Sequence, residues 1–127
     1  MLRHARLVEF EALAPIFREA EDADTFYLVR TGVVALEVGP ASGPLRKIES
    51  IHEGTALGWS WLFPPYKWQF SAVAETLVRG IAIDAAGLRE EFAADPGFGY
   101  RVIARIAEVM AKRLQATRRQ VINLMGA

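Results

Sequence analysis

FYLVRTGVVALEV, residues Phe26–Val38, is the stretch whose reading decides the fold class. Two short apolar runs, Phe26–Arg30 and Val33–Val38, are rich in aromatic and β-branched residues and are joined by Thr31 and Gly32. Side chains of this kind pack well on a pleated surface, and a two-residue link carrying glycine reads as a hairpin-type connection. The same pattern extends in both directions as far as about Asp84. It gives strands at Ala5–Phe10, Leu45–Ile51, Trp68–Glu75 and Leu77–Ile83, with a short one at Ile16–Phe17. Gly, Pro, Asp and Glu interrupt these runs roughly every ten residues, as in an antiparallel barrel or sandwich. Residues 39–43 (GPASG) read as a second hairpin connection. The acidic run Glu19–Asp24 reads as a solvated loop, since it lacks the glycine that a calcium loop needs for its sharp turn.

After Asp84 the period changes from two to that of a helix. Ala85–Ala94 reads as a short helix. Asp95 and Pro96 then supply an N-cap and a first-turn proline for a second helix running to about Met125. Within it Ile103, Ala107, Met110, Leu114, Thr117, Val121 and Leu124 recur with spacings of 4, 3, 4, 3, 4 and 3. This is the seam of a coiled coil, narrower than the stripe of a helix that only covers its own domain. It implies a homodimer formed through the C-terminal helix. The plainer alternative is that the first half of the helix covers the roll and its end frays.

The bulk numbers narrow the class. The chain has 127 residues, 52% hydrophobic and 24% charged, with fifteen basic and fifteen acidic side chains. One domain is expected over 1–127, as a β-roll in 1–84 followed by helices in 85–127. Charge balance removes any net field that would steer the chain to nucleic acid or an acidic membrane. There is no cysteine, which excludes disulfides, thiolate catalysis and cysteine metal sites and fits a cytoplasmic location. No window approaches the roughly eighteen apolar residues of a membrane span, and residues 1–10 hold no apolar stretch long enough for a signal peptide.

One local feature stands out. Residues 57–70, LGWSWLFPPYKWQF, contain all three tryptophans and six of the thirteen aromatic residues. Trp and Tyr bring large apolar area together with a polar tip that seeks a partner when buried. The cluster is either a core plug or the wall of a pocket.

The order of these elements resembles the cyclic nucleotide-binding domain of the Crp/Fnr family of bacterial regulators. The residues that carry the resemblance are Ile16–Gly32 (phenylalanine, acidic turn, aliphatic strand, glycine), Glu53–Gly58 leading into the phosphate-binding cassette, Ser71–Ala74 leaving it, and Arg101–Gly126 as the long helix. It implies a double-stranded β-helix, or jelly roll, of about eight strands, then a short helix and a long dimerisation helix. Two turn glycines of the family pattern appear here as Leu13 and Ala20. The helix-turn-helix that the regulators carry after the long helix is not expected in this chain.

In that family, cassette amides at the start of a short helix face a cyclic phosphate, a glutamate accepts from the ribose and an arginine neutralises the anion. Aligned on Gly58 and Ala74, the glutamate position is Trp59 and the arginine position is Trp68. Lys67 adjoins the latter, but a one-residue shift on a strand turns a side chain to the other face. Losing the arginine contact alone removes about 1.5–3 kcal/mol, on the order of tenfold to a hundredfold in affinity. The resemblance thus yields a cassette of Gly58, Trp59, Ser60, Trp61, Trp68, Phe70 and Ser71 in which tight cyclic nucleotide binding is not expected. Three outcomes stay open: aromatics filling the old pocket, an altered pocket for an apolar or aromatic small ligand, and residual nucleotide binding.

Catalysis is not expected. His4 and His52 are the only histidines, too few and too far apart in sequence to suggest a metal site, and no serine stands in a strand-to-helix elbow. Lys112, Arg113, Arg118 and Arg119 flank the seam as solvated residues near a helix C-terminus would, and without a recognition helix DNA binding is not expected. The sequence reading is a non-enzymatic regulatory or sensor module of the cyclic nucleotide-binding-like type, without cofactor, metal or membrane contact. The alternatives are a true cyclic nucleotide effector domain of a transcription regulator and a purely structural dimerisation module.

Overall fold

The computed structural model describes residues 4–40 and 42–126. Seven strands precede two helices. They are β1 (Ala5–Phe10), β2 (Pro15–Phe17), β3 (Thr25–Thr31), β4 (Val34–Val38), β5 (Arg46–Ile51), β6 (Ser71–Ala74) and β7 (Val78–Asp84), then α1 (Ala85–Ala94) and α2 (Pro96–Gly126). The chain divides into two compact units, Met1–Arg89 and Glu90–Ala127.

The first unit is a pair of antiparallel sheets, ordered β1-β7-β3 and β2-β6-β4-β5. Its core lies where the alternating apolar faces meet. Val34 and Leu36 on β4 pair with Ala74 and Ala72 on β6, and Ile51 on β5 pairs with Val34; all five are buried. From the other sheet come Val29 of β3 and Val78 and Ala82 of β7. The expected jelly roll is the observed architecture, with seven strands among the described residues where about eight were expected.

The expected hairpin at Thr31-Gly32 does not form. β3 and β4 belong to different sheets, so this link crosses from one to the other. Gly32 makes the crossing feasible. Its φ is +98°, and a Cβ there would stand 2.4 Å from the Leu77 carbonyl oxygen. Local sequence sees a strand–turn–strand pattern, but register with β7 and β6 decides which sheet each strand joins. The connection at residues 39–43 does close a hairpin, β4 against β5; Ala41 lies outside the described residues. The strand expected over Trp68–Glu75 is shorter, beginning only at Ser71.

Leu13 and Ala20 hold the turn geometry that the missing glycines would have supplied. Their φ values are +73° and +74°, in the left-handed region. Both turns are held by backbone bonds, Leu13 N–H to the Ala74 carbonyl at 2.7 Å and Ala20 N–H to the Trp68 carbonyl at 2.8 Å. Tertiary pairing therefore imposes a conformation that these side chains disfavour by about 1 kcal/mol or more each.

At the end of the first unit, Asp84 caps α1, its Oδ2 accepting the Gly87 N–H at 3.3 Å. In the second unit Asp95 caps α2 as expected, Oδ1 accepting the Phe98 N–H at 3.1 Å. Phe92 and Phe98 meet at 5.9 Å between ring centroids and pin the helix-to-helix turn. Along α2, Gly99 and Ile106 are buried, with Val102, Met110 and Arg113 half-buried on the same stripe. The heptad seam runs beside that stripe and is exposed except at Met110: Ile103, Ala107, Leu114, Thr117, Val121 and Leu124 all face outward, Leu124 at 80%.

Candidate functional site

The cassette segment runs from Gly58 to Phe70 in the first unit. Gly58 opens it with φ +117°. A Cβ at this position would lie 2.8 Å from Phe70 Cζ and 3.6 Å from Trp68 Cζ3, so two aromatic rings sit directly over the glycine. Trp68 is 3% exposed and lies flat on Phe17, with centroids 3.7 Å apart and planes 7° apart. Phe70 contacts the same pair at 5.9 Å from Phe17 and 6.3 Å from Trp68.

A second group forms around Trp61, which is wholly buried. Its ring stacks on Phe26 at 4.5 Å, and half-buried Trp59 tilts against both, 5.6 Å from Phe26 and 6.5 Å from Trp61. Trp61 Nε1 is buried with no hydrogen-bond partner among the described residues. Leaving such a donor unpaired costs about 1–3 kcal/mol, which packing must offset. The polar edge of α1 also grips this segment. Arg89 donates from its guanidinium to the Trp61 carbonyl, and its charge stands 4.3 Å over the Tyr66 ring, a cation–π geometry.

The short cassette helix that the resemblance implies is absent. Residues 59–62 make one turn, closed by the Leu62 N–H to the Trp59 carbonyl at 2.9 Å, and the chain then meets Pro64-Pro65. Consecutive prolines lack amide donors and disfavour helix in the residue before them, so no helix can propagate. Without a helix, no helix dipole favours an anion here.

The acidic run Glu19–Asp24 is more than a solvated loop. Its backbone zips onto the cassette exit: Trp68 N–H donates to the Glu21 carbonyl at 3.0 Å and Ala23 N–H to the Tyr66 carbonyl at 2.7 Å. Asp22 pairs with Lys67. Lys67 is thus exposed and engaged by a carboxylate while Trp68 points inward, the alternation expected of an extended segment.

Ser71 stands apart from the aromatics. Ala72 and Ala74 of β6 are wholly buried, so Ser71 and Val73 point from the opposite face. Ser71 Oγ accepts the Glu19 N–H at 3.0 Å. Among the titratable groups Tyr27 is perturbed: burial raises its pKa, opposed by a hydrogen bond from Thr25 and the charge of Arg6. It is therefore neutral at physiological pH and no candidate base. His52 is exposed, and no group of three or more potential ligands assembles a metal site among the described residues. No helix among them is long and apolar enough to cross a membrane.

With this geometry in view, the family relationship is direct. The cyclic nucleotide-binding domain model matches residues 7–95. The chain belongs to the cyclic nucleotide-binding domain family. Solved structures agree, with Crp/Fnr-type regulators among the neighbours. A Geobacter metallireducens protein described as cyclic nucleotide-binding is 28% identical, with 88% of this chain and 80% of that one covered and a TM-score of 0.77. The N-terminal domain of a transcriptional regulator from Streptomyces coelicolor is 20% identical over 91% of this chain and 80% of its own, TM-score 0.70. The catabolite activator protein of Thermus thermophilus is 22% identical over 97% of this chain and 56% of its own, TM-score 0.70. No curated protein matches.

Within this family domain, the structure gathers Gly58, Trp68 and Phe70 in one cluster and Trp59 and Trp61 in a neighbouring one. Ser60 is half-buried in the turn, and Ser71 lies on the other face. The sequence reading missed Phe17 and Phe26 as stacking partners. Both were visible as aromatics at strand positions, but only the fold shows which rings they meet.

Proposed function

We propose that this chain is a non-enzymatic regulatory module whose cyclic nucleotide seat is filled by its own aromatic side chains, and that it acts as a homodimer in the cytoplasm. The observation that carries this reading is the pair of rings over Gly58. In the family's cassette the glycine gives a phosphate close access to backbone; here Phe70 Cζ stands where even a methyl group would collide. The family's glutamate and arginine positions hold Trp59 and Trp68, neither of which can neutralise an anion. The missing cassette helix removes a further source of anion affinity.

The exposed seam on α2 supports pairing. Leu114, Val121 and Leu124 present apolar side chains along one line while Lys112, Arg118 and Arg119 remain in solvent, as coiled-coil flanks do. A lone helix would gain little from that arrangement. Titration of cAMP and of cGMP to 5 mM, read by tryptophan emission, tests the ligand claim because every tryptophan reports from the cassette. No saturable change is expected. A saturable change with half-effect below about 0.1 mM, within the range where family-like contacts operate, establishes a true nucleotide effector domain instead.

A further inference from the structure

The aromatic cassette leaves a different cavity open in the first unit. It measures about 620 Å³ and lies on the outer face of the four-stranded sheet. Small-molecule sites typically span about 300–1,000 Å³. Three elements build it: the end of β2 with the turn that follows, the outward face of β6, and the β4–β5 hairpin. None of the cassette aromatics Trp59, Trp61, Trp68 or Phe70 lines it.

The walls are of two kinds. Val73, Leu45 and the prolines at 15 and 40 give an apolar floor and side, and Phe17 borders it from β2 with its ring turned inward onto Trp68. The hairpin forms the other wall: Gly43 N–H donates to the Pro40 carbonyl at 3.1 Å, and a Cβ on Gly39 would stand 2.6 Å from the Pro44 carbonyl oxygen.

The polar groups are Arg18, Glu19 and Ser71. Ser71 is 7% exposed, and its Oγ accepts the Glu19 N–H at 3.0 Å, which leaves the hydroxyl proton to donate. The Arg18 guanidinium and the Glu19 carboxylate have no ion-pair partner among the described residues. The cavity therefore offers two donors for a carboxylate, one acceptor for a cation, and an apolar surface between them. A simple anion would satisfy Arg18 and meet repulsion from Glu19; a simple cation would meet the reverse.

We propose that this cavity binds a small zwitterion with an apolar body, of the class of the apolar and aromatic α-amino acids. Arg18 and the Ser71 hydroxyl take its carboxylate, Glu19 takes its ammonium group, and the side chain lies on Val73, Leu45 and Pro15. Because Arg18 and Glu19 are exposed, each charge contributes modestly, about twofold to fivefold in affinity. The site is independent of the filled cassette, so either proposal can fail without the other.

The test uses the full chain labelled with ¹⁵N and titrated with L-phenylalanine, 3-phenylpropionate (no ammonium) and phenethylamine (no carboxylate). L-phenylalanine is expected to give saturable shifts at the amides of Glu19, Gly43, Ser71 and Val73 and to bind at least twofold tighter than either analogue. Arg18→Gln should abolish its advantage over phenethylamine, and Glu19→Gln its advantage over phenylpropionate. Both substitutions are exposed and should leave the melting temperature within a few degrees. Equal binding of all three probes, shifts confined to residues 58–70, or no saturable shift overturns the proposal.

Discussion

Removing the indole of Trp68 distinguishes a core plug from a pocket wall. A buried tryptophan takes about 200 Å² out of water. At about 25 cal/mol per Å² this is worth roughly 5 kcal/mol, an upper bound because unfolded chains already hide part of that area. Trp68 is 3% exposed and stacked on Phe17 along a 7° interplanar angle, so almost all of that area is lost in Trp68→Ala. The expected destabilisation is therefore about 3–5 kcal/mol, the range of large aromatic deletions in cores. An indole lining an open pocket keeps one face wet and would lose about half as much. With a urea slope of roughly 2 kcal/mol per molar for a domain of this size, the midpoint falls by about 2 M. Far-UV circular dichroism is the readout, since the substitution removes a fluorophore. If the variant does not fold, Trp68→Phe keeps a ring on Phe17 and is expected to cost about 1–2 kcal/mol. A Trp68→Ala loss below about 2.5 kcal/mol, the most a pocket wall would give, refutes the plug.

Two further outcomes follow from the backbone and from the helix. Ala20→Gly relieves a φ of +74° but frees the unfolded chain; the net is a gain of about 0.5–1 kcal/mol, seen as a rise of a few degrees in Tm, and a fall in Tm contradicts the strain assignment. Leu114→Lys places a charge in the middle of the exposed seam and should convert a dimer to a monomer of 14.1 kDa in sedimentation equilibrium at unchanged helicity, whereas a variant as dimeric as wild type refutes the heptad reading.

Much of the roll was legible because period-two apolar runs survive in sequence. β1 falls where its pattern placed it, and β3, β4, β5 and β7 agree within a residue at each end. What misled was the link at Thr31-Gly32, whose local chemistry is that of a hairpin. Strand partners are a global property, set here by β7 and β6 competing for β3 and β4. The left-handed turns at Leu13 and Ala20 were legible only through the glycines the family pattern keeps there, since neither residue signals a positive φ on its own. The cassette was legible as composition and address, all its tryptophans lying within residues 59–68. Its packing was not, because Phe17 and Phe26 reach the cluster from strands more than thirty residues away in sequence. Arg89, which holds the Trp61 carbonyl and the Tyr66 ring, carried no sequence signal at all.

The most direct measurement is the set of three indole N–H resonances in a ¹H–¹⁵N spectrum, followed by exchange into D₂O with and without 5 mM cAMP. A filled seat requires that the Trp61 indole proton, on a fully buried nitrogen, exchange far more slowly than that of half-buried Trp59. It also requires that the nucleotide move none of the three. Fast exchange at Trp61, together with saturable shifts on adding cAMP, would contradict it and return the cassette to nucleotide binding.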